Sequence, residues 1–194
     1  MSRTIESPFV LDLERYAESI KSRRSINLFE PELVPDSLIQ AAIEVARWAP
    51  NHKKTEPWYF HILGPETRRK TIELITEIKS AGQADTFRAG VAARLNAVPG
   101  WLVITCDVSE DVIRQMEDFA ACSCAAQNLM LYLWAAGVGV KWTTGKVVRD
   151  ERLLKILGID TGTRMIVGLF WYGYPGMVPE QTRKPVTEIS TVLD

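Results

Sequence analysis

Residues 119–140 read FAACSCAAQNLMLYLWAAGVGV, 22 residues without a charge. That length is enough to cross a bilayer, for which about 20 apolar residues suffice. The composition argues otherwise: Gln127 and Asn128 sit near the middle, Ala, Cys and Ser fill much of the stretch, and Gly137 and Gly139 break it before its end. Its mean hydropathy is modest for a span. The stronger reading is a helix from about Asp111 to Ala136 that is apolar on more than one face. Phe119, Cys122, Ala126, Met130 and Leu133 form one stripe at helical spacing, while Leu131 and Trp134 add a second. Such a helix needs cover on several sides, from its own domain or from another subunit.

The flanking sequence supplies elements for that cover. Val138 to Thr143 and Arg164 to Tyr172 are short apolar runs that suit strands, separated by a short helix over Asp150 to Leu157. Upstream, Trp101 to Cys106 is a continuous β-branched run between Pro-Gly and Asp, the pattern of a central strand. Trp58 to Leu63 reads as another strand, and Glu66 to about Ser80 as a helix with Ile72, Leu74, Ile75 and Ile78 inward. Leu13, Tyr16, Ala17 and Ile20 define a first amphipathic helix ending near Ser22. Pro35 in a first turn opens a second, carrying Leu38, Ile39, Ala42, Ile43 and Ala46 and stopped by Ala49-Pro50. Gly82 to Pro99 shows no clear period. The tail from Tyr174, punctuated by Pro175, Pro179 and Pro185, is expected to run extended over a surface. The class is α+β, a mixed sheet of four to five strands with a long helix packed against it.

At 194 residues the chain is expected to form one domain, residues 1–194, and 46% hydrophobic residues with 17 aromatics can fill its core. Lys and Arg number 23 against 24 Asp and Glu, so there is no global field for a nucleic-acid backbone or an anionic membrane. An anion must be held by a local cluster. Cys106, Cys122 and Cys124 are too few and too odd in number for a disulfide framework, and MSRTIESPFVLDLERY carries no basic segment followed by an apolar run. A reduced, cytoplasmic protein is the expectation. Cys122 and Cys124 are not expected to form a metal pair, because two residues along a helix they point about 200° apart.

Several catalytic motifs fail. Gly137-Val-Gly139 lacks the third glycine of a dinucleotide fingerprint and precedes a strand, not a helix. Gly139 to Lys146 misses the P-loop spacing, and no Gly-x-Ser-x-Gly is present. What remains is a set of polar segments at element ends: Arg23-Arg24-Ser25, the loop from Ala49 to Trp58, Gly137 to Gly145, and Thr182 to Pro185. Arginine forks with a nearby hydroxyl suit a phosphate. Basic residues at the end of a helix are also favoured by its macrodipole.

Taken in order, these segments resemble the FMN-dependent nitroreductase family, particularly its small single-domain members. The resemblance runs from about Ser19 to Thr187. It rests on Arg-Arg-Ser after the first helix, Ala-Pro-Asn-His-Lys-x-x-Glu-Pro-Trp before the first strand, Gln127-Asn128-Leu129 in the long helix, and Gly-x-Gly-x-x-Trp after it. It implies a nitroreductase-like fold with helices on both sheet faces, and an intertwined homodimer with FMN at the interface. The tail from 174 to 194 would reach the partner. The implied activity is transfer of a hydride from NAD(P)H through flavin N5 to a small organic acceptor such as a nitroaromatic or quinone, in ping-pong order. An FMN storage or sensor protein with little turnover is the alternative. No catalytic side chain and no metal is expected, because the chemistry is the flavin's.

By position, Arg23, Arg24 and Ser25 would contact the phosphate, ribityl chain and pyrimidine edge, with Arg183 closing on the phosphate. His52 would reach the cofactor of the partner subunit. Trp142, Thr143 and Thr144 would lie along the ring, and Gly145 would allow close backbone approach. Each has a plainer alternative: His52 as a loop residue, Trp142 as core, Arg183 as a free tail charge. Two positions depart from the larger members, which have a basic residue at Asn27 and an asparagine at Lys54. Lys54 is therefore expected to supply positive charge near N1 and the C2 carbonyl.

Overall fold

The computed structural model describes residues 12–193. Among them the order is α1 (Leu13–Ser22), α2 (Asp36–Ala46), β1 (Trp58–Ile62), α3 (Pro65–Ser80), α4 (Asp85–Asn96), β2 (Gly100–Asp107), α5 (Val112–Ala135), β3 (Gly139–Thr143), α6 (Glu151–Ile156) and β4 (Arg164–Gly173). Short 3-10 turns cover His52–Lys54, Lys146–Arg149 and Val186–Glu188. Three of the helices start on aspartate. Asp12 and Asp111 each accept two first-turn backbone N–H groups with a carboxylate oxygen and Asp150 accepts one, which satisfies donors that the helix itself leaves unpaired.

The strands pair in the order β1-β2-β4-β3, and every pairing between them is antiparallel. The expected mixed character is confined to one parallel bridge, Ser25 with Val140. Side chains alternate across the sheet and divide the core in two. Leu102, Ile104, Phe170 and Tyr172 face α2 and α5, while Trp101, Val103, Leu169 and Trp171 face α3, α4 and α6. A β-bulge at Val167 separates the pairs Ile104–Gly168 and Thr105–Ile166. Without that extra residue, the two halves of β4 would present opposite faces.

On α5, Cys122, Ala126, Met130 and Leu133 of the first stripe are buried, and Leu131 and Trp134 of the second are half-buried. Cys122 is buried and Cys124 exposed, as their angular separation requires. No helix among the described residues is long and apolar enough to cross a membrane, and none of their His, Cys, Asp and Glu groups forms a cluster that could hold a metal. The segment without a clear period contains α4, where only Val91 and Leu95 are buried.

The Gly-x-Gly-x-x-Trp signature has a packing explanation. Gly137 adopts φ of 80°, ending α5 in the left-handed region. At Gly139 a Cβ would lie 2.4 Å from Ile26 Cγ1, so the strand admits the segment after α1 only because no side chain is there. Trp142 uses a second gap, since a Cβ on Gly168 would collide with its Nε1. Gly139→Ala should therefore cost about 1–3 kcal/mol or more through overpacking. Gly137→Ala should cost about 1–2 kcal/mol through backbone strain alone. Urea denaturation checks both, and a Gly139→Ala variant as stable as the parent would contradict the close packing.

Candidate functional site

The segment that follows α1 runs extended along the edge of the sheet. Ile26 N–H donates to the Val140 carbonyl at 3.3 Å, and Ile26 is completely buried. Farther on, Glu30 N–H donates to the Tyr174 carbonyl (2.9 Å) and Gly176 N–H to that of Leu28 (3.0 Å). Residues 25–30 are thus held between β3 and the start of the tail.

This arrangement gathers Arg23, Arg24 and Arg183 around one cleft of about 850 Å³, which Gln127 and Trp134 of α5 also line. The arginines have different duties. Arg24 donates to the carbonyls of Lys21 (2.6 Å) and Arg23 (3.0 Å) at the end of α1, and its Nε to Pro179 O in the tail (3.1 Å). Among the described residues Arg23 makes no comparable bonds, and its guanidinium is held below the usual arginine value first by burial, then by Arg183 and Arg24. Three like charges converge where an anion would neutralise them. Trp134 braces the cleft by donating from Nε1 to Ser22 Oγ at 2.9 Å.

Beyond the cleft, Lys141 of β3 donates from Nζ to Asn27 Oδ1 at 2.5 Å. Two residues along the strand, Thr143 lines a cavity of about 280 Å³ with Gly145, Lys146, Leu169, Trp171 and Lys79. Successive strand residues rise roughly 3.3 Å, so Val140 to Thr143 spans about 10 Å along the same edge. The Asn27–Lys141 pair and the Thr143 cavity are thus neighbours along β3, and Arg23 and Arg24 precede Asn27 in the segment held against that strand.

The other predicted residues are distributed differently. Thr144 lies in a separate cavity of about 610 Å³ with Phe119, Arg164 and Leu154. Trp142 turns inward, stacked on Phe170 with centroids 5.3 Å apart and donating to Val167 O at 3.3 Å, so its indole is held by the core. Ser25 is exposed and bridges β3 through its backbone. His52 and Lys54 are exposed on the loop before β1 and line neither the arginine cleft nor the Trp171 cavity.

That loop is strained and braced. Lys53, Lys54 and Glu56 all have positive φ, 57°, 53° and 47°, which costs non-glycine residues about 1–3 kcal/mol each. Asn51 Oδ1 accepts from Glu56 N–H (2.7 Å), Asn51 Nδ2 donates to Thr55 Oγ1 (3.0 Å), and the Thr55 hydroxyl donates to Asp118 (2.5 Å). Asp118 is buried on α5, 4% exposed, so the long helix fixes the loop. Sequence reading missed Asp118, Gln127, Trp134, Lys79 and Lys141 as site residues. The available signal was a charge or amide within otherwise apolar stretches, most plainly Gln127 and Lys141.

A four-stranded sheet covered by helices, with an arginine-lined cleft at the end of its first helix and a second cavity at its edge strand, defines a class of small α+β proteins. The nitroreductase family model matches residues 20–174. A Bacillus subtilis (strain 168) relative named "Putative NAD(P)H nitroreductase YfhC" is 32% identical over 179 residues, covering 90% of this chain and 92% of its own. A nitroreductase-like family protein from Bacillus cereus superposes with a TM-score of 0.84 at 27% identity, over 97% of this chain and 99% of that one. The FMN-dependent nitroreductase NfnB from Mycobacterium smegmatis, solved with NADPH, shares the fold at a TM-score of 0.74 and 18% identity, over 94% of this chain and 100% of that one. The chain belongs to the nitroreductase family of oxidoreductases.

Removing the brace tests the loop assignment. Asp118→Ala should cost about 1–3 kcal/mol by leaving Thr55 without its acceptor. It should also speed tryptic cleavage after Lys53 and Lys54 in the native protein, with Asp118→Asn affected less. Unchanged protection at both lysines would remove Asp118 from this role.

Proposed function

We propose that this protein is an FMN-dependent oxidoreductase that uses NAD(P)H to reduce a small organic acceptor, a nitroaromatic, quinone or similar compound, in ping-pong order. The observation that carries the reading is the convergence of Arg23, Arg24 and Arg183 on one cleft beside β3. Guanidinium forks make bidentate, charge-assisted bonds to phosphate. The donor set fits FMN in its order as well as its chemistry: arginines for the phosphate, then Asn27 and Lys141 for the polar middle, then the Trp171 cavity for a flat ring. A side chain at Gly145 would meet nothing closer than 3.8 Å, which leaves that approach open.

When bound, FMN supplies the redox chemistry, and no protein side chain is assigned as acid or nucleophile. The chain's part is to hold the phosphate with Arg23 and Arg183 while Arg24 ties α1 to the tail. Thr143 and Gly145, which line the Trp171 cavity, are assigned to the ring's edge, and Thr144, which opens on the other cavity, is not. Trp142 acts from beneath by filling the gap at Gly168.

The same reading assigns a homodimer, with His52 and Lys54 serving the partner's cofactor and the tail from 174 crossing to the other subunit. Apolar surface supports it. Leu13, Tyr16 and Ile20 along α1 are 75%, 52% and 40% exposed, and Trp48 is 75% exposed. Met177, Val178, Val186 and Ile189 of the tail are exposed too. Patches of this kind mark association sites. The cytoplasm suits three unpaired cysteines.

Purified protein should be yellow, release FMN on heating and bleach with NADPH or NADH in the absence of oxygen. Yellow protein that does not bleach favours storage, and colourless protein that cannot be reconstituted overturns the reading. Arg23→Ala should weaken FMN binding roughly 10- to 100-fold, the loss of a charge-assisted hydrogen bond at about 1.5–3 kcal/mol. Riboflavin, which lacks the phosphate, should bind parent and variant alike. Light scattering should give twice the chain mass at micromolar concentration, and a folded, FMN-loaded monomer would contradict the shared site.

A further inference from the structure

The sheet face that lines the Trp171 cavity carries positive charge that no carboxylate among the described residues pairs with. Lys141 Nζ lies 5.1 Å from the Trp171 ring centroid and Lys79 Nζ 5.9 Å. Lys141 and Thr143, two apart on β3, share one sheet face, so the Lys141 ammonium stands beside the cavity that Thr143, Gly145 and Trp171 line. The ion pairs among the described residues join other cations, Arg47, Arg69, Lys70, Arg152 and Arg164. Lys141 is held below the usual lysine value first by burial, then by Lys79 and Arg94, with no acid opposing them. The Trp171 Nε1–H is buried without a partner among the described residues. Asn27 accepts one ammonium proton and fixes the group in place, leaving two others to donate.

We infer that Lys141, positioned by Asn27 and supported by Lys79, is the cation that stabilises the negative charge acquired by the flavin ring when it takes up a hydride from NAD(P)H. The inference rests on the FMN reading above. The charge balance is simple: a hydride brings two electrons and one proton to a neutral ring and leaves it with one negative charge. A fixed cation at the edge of a partly enclosed cavity binds that form more tightly than the neutral one. Lys54, the residue that the sequence nominates for this task, is exposed on a loop that lies outside the cavity within this chain.

The test uses the FMN-loaded protein and compares parent, Lys141→Met, Lys141→Arg, Asn27→Ala and Lys54→Met. Lys141→Met should reduce the preference for the reduced over the oxidised cofactor about tenfold, which lowers the midpoint potential by about 30 mV for a two-electron couple. Sulfite, which also leaves negative charge on the oxidised ring, should bind Lys141→Met at least several-fold more weakly, a readout independent of turnover. Lys141→Arg should recover most of both effects, and Asn27→Ala should show part of the loss because the lysine remains but is no longer held. Retained FMN with unchanged potential and sulfite affinity in Lys141→Met overturns the inference. So does a shift confined to Lys54→Met. Should Lys141→Met fail to fold, the Asn27→Ala variant decides by the same two measurements. A parent chain that takes up no FMN on reconstitution overturns the FMN reading and this assignment with it.

Discussion

Ile26 fills the space that a Cβ at position 139 would need, and the site depends on that contact. Because Gly139 leaves the gap, the chain after α1 can lie close enough for Ile26 N–H to reach the Val140 carbonyl. Everything on either side of Ile26 is then placed by chain geometry. Arg23 and Arg24 fall at the end of α1 opposite the tail, and Asn27 falls beside Lys141. The buried isoleucine contributes roughly 1.5–3 kcal/mol of apolar burial. Its larger effect is to fix the position of the polar groups along β3 that make the cleft useful. The motif that reads as a string of glycines and a tryptophan is therefore a packing device whose product is electrostatic.

α1 carries this argument beyond the single chain. A helix of ten residues is marginal in isolation, and among the described residues none of this helix is buried. Asp12 caps its start, while Arg24 and the Trp134–Ser22 bond hold its end. Its apolar stripe of Leu13, Tyr16 and Ile20 still faces outward. The helix that presents the arginines is thus held by a few polar contacts at its termini. A second copy covering the stripe would stabilise the arginine cleft as well as the assembly, so dimerisation and anion binding would be coupled.

The layers were legible because their periods are strong. Trp101 to Cys106 and Arg164 to Tyr172 show continuous apolar runs, and both are buried central strands. α4 was not legible, since two buried residues among alanines leave a weak helical signal. The direction of pairing was not either: apolar periodicity says which residues are inside, not which way a neighbouring strand runs. The arginines could be nominated by type and order, but the division of labour between Arg23 and Arg24 depends on a tail carbonyl 155 residues away. Lys141 escaped for the same reason, because Asn27 lies 114 residues from it. Trp142 shows the opposite limit. The motif nominates the residue for the flavin ring, with the core as the alternative, and the gap at Gly168 lets its indole stack on Phe170.

The two cationic clusters differ in kind, and the difference bears on what each can hold. Arginine does not lose its proton in a protein, so the repulsion among Arg23, Arg24 and Arg183 cannot be relieved by titration. It costs stability at every accessible pH until an anion occupies the cleft. A group that is always negative, such as a phosphate, is the fitting ligand, and its binding adds to folding stability by linkage. Lysine behaves otherwise. Burial and neighbouring cations already lower Lys141 and Lys79, so their protonated forms are less favoured in the folded chain than in the unfolded one. Negative charge arriving beside them raises those values again and tightens the ammonium's hold on its proton. The arginine end of the β3 edge thus suits a permanent charge and the lysine end one that comes and goes, the asymmetry required of a cofactor with a fixed phosphate and a ring that alternates between neutral and anionic forms.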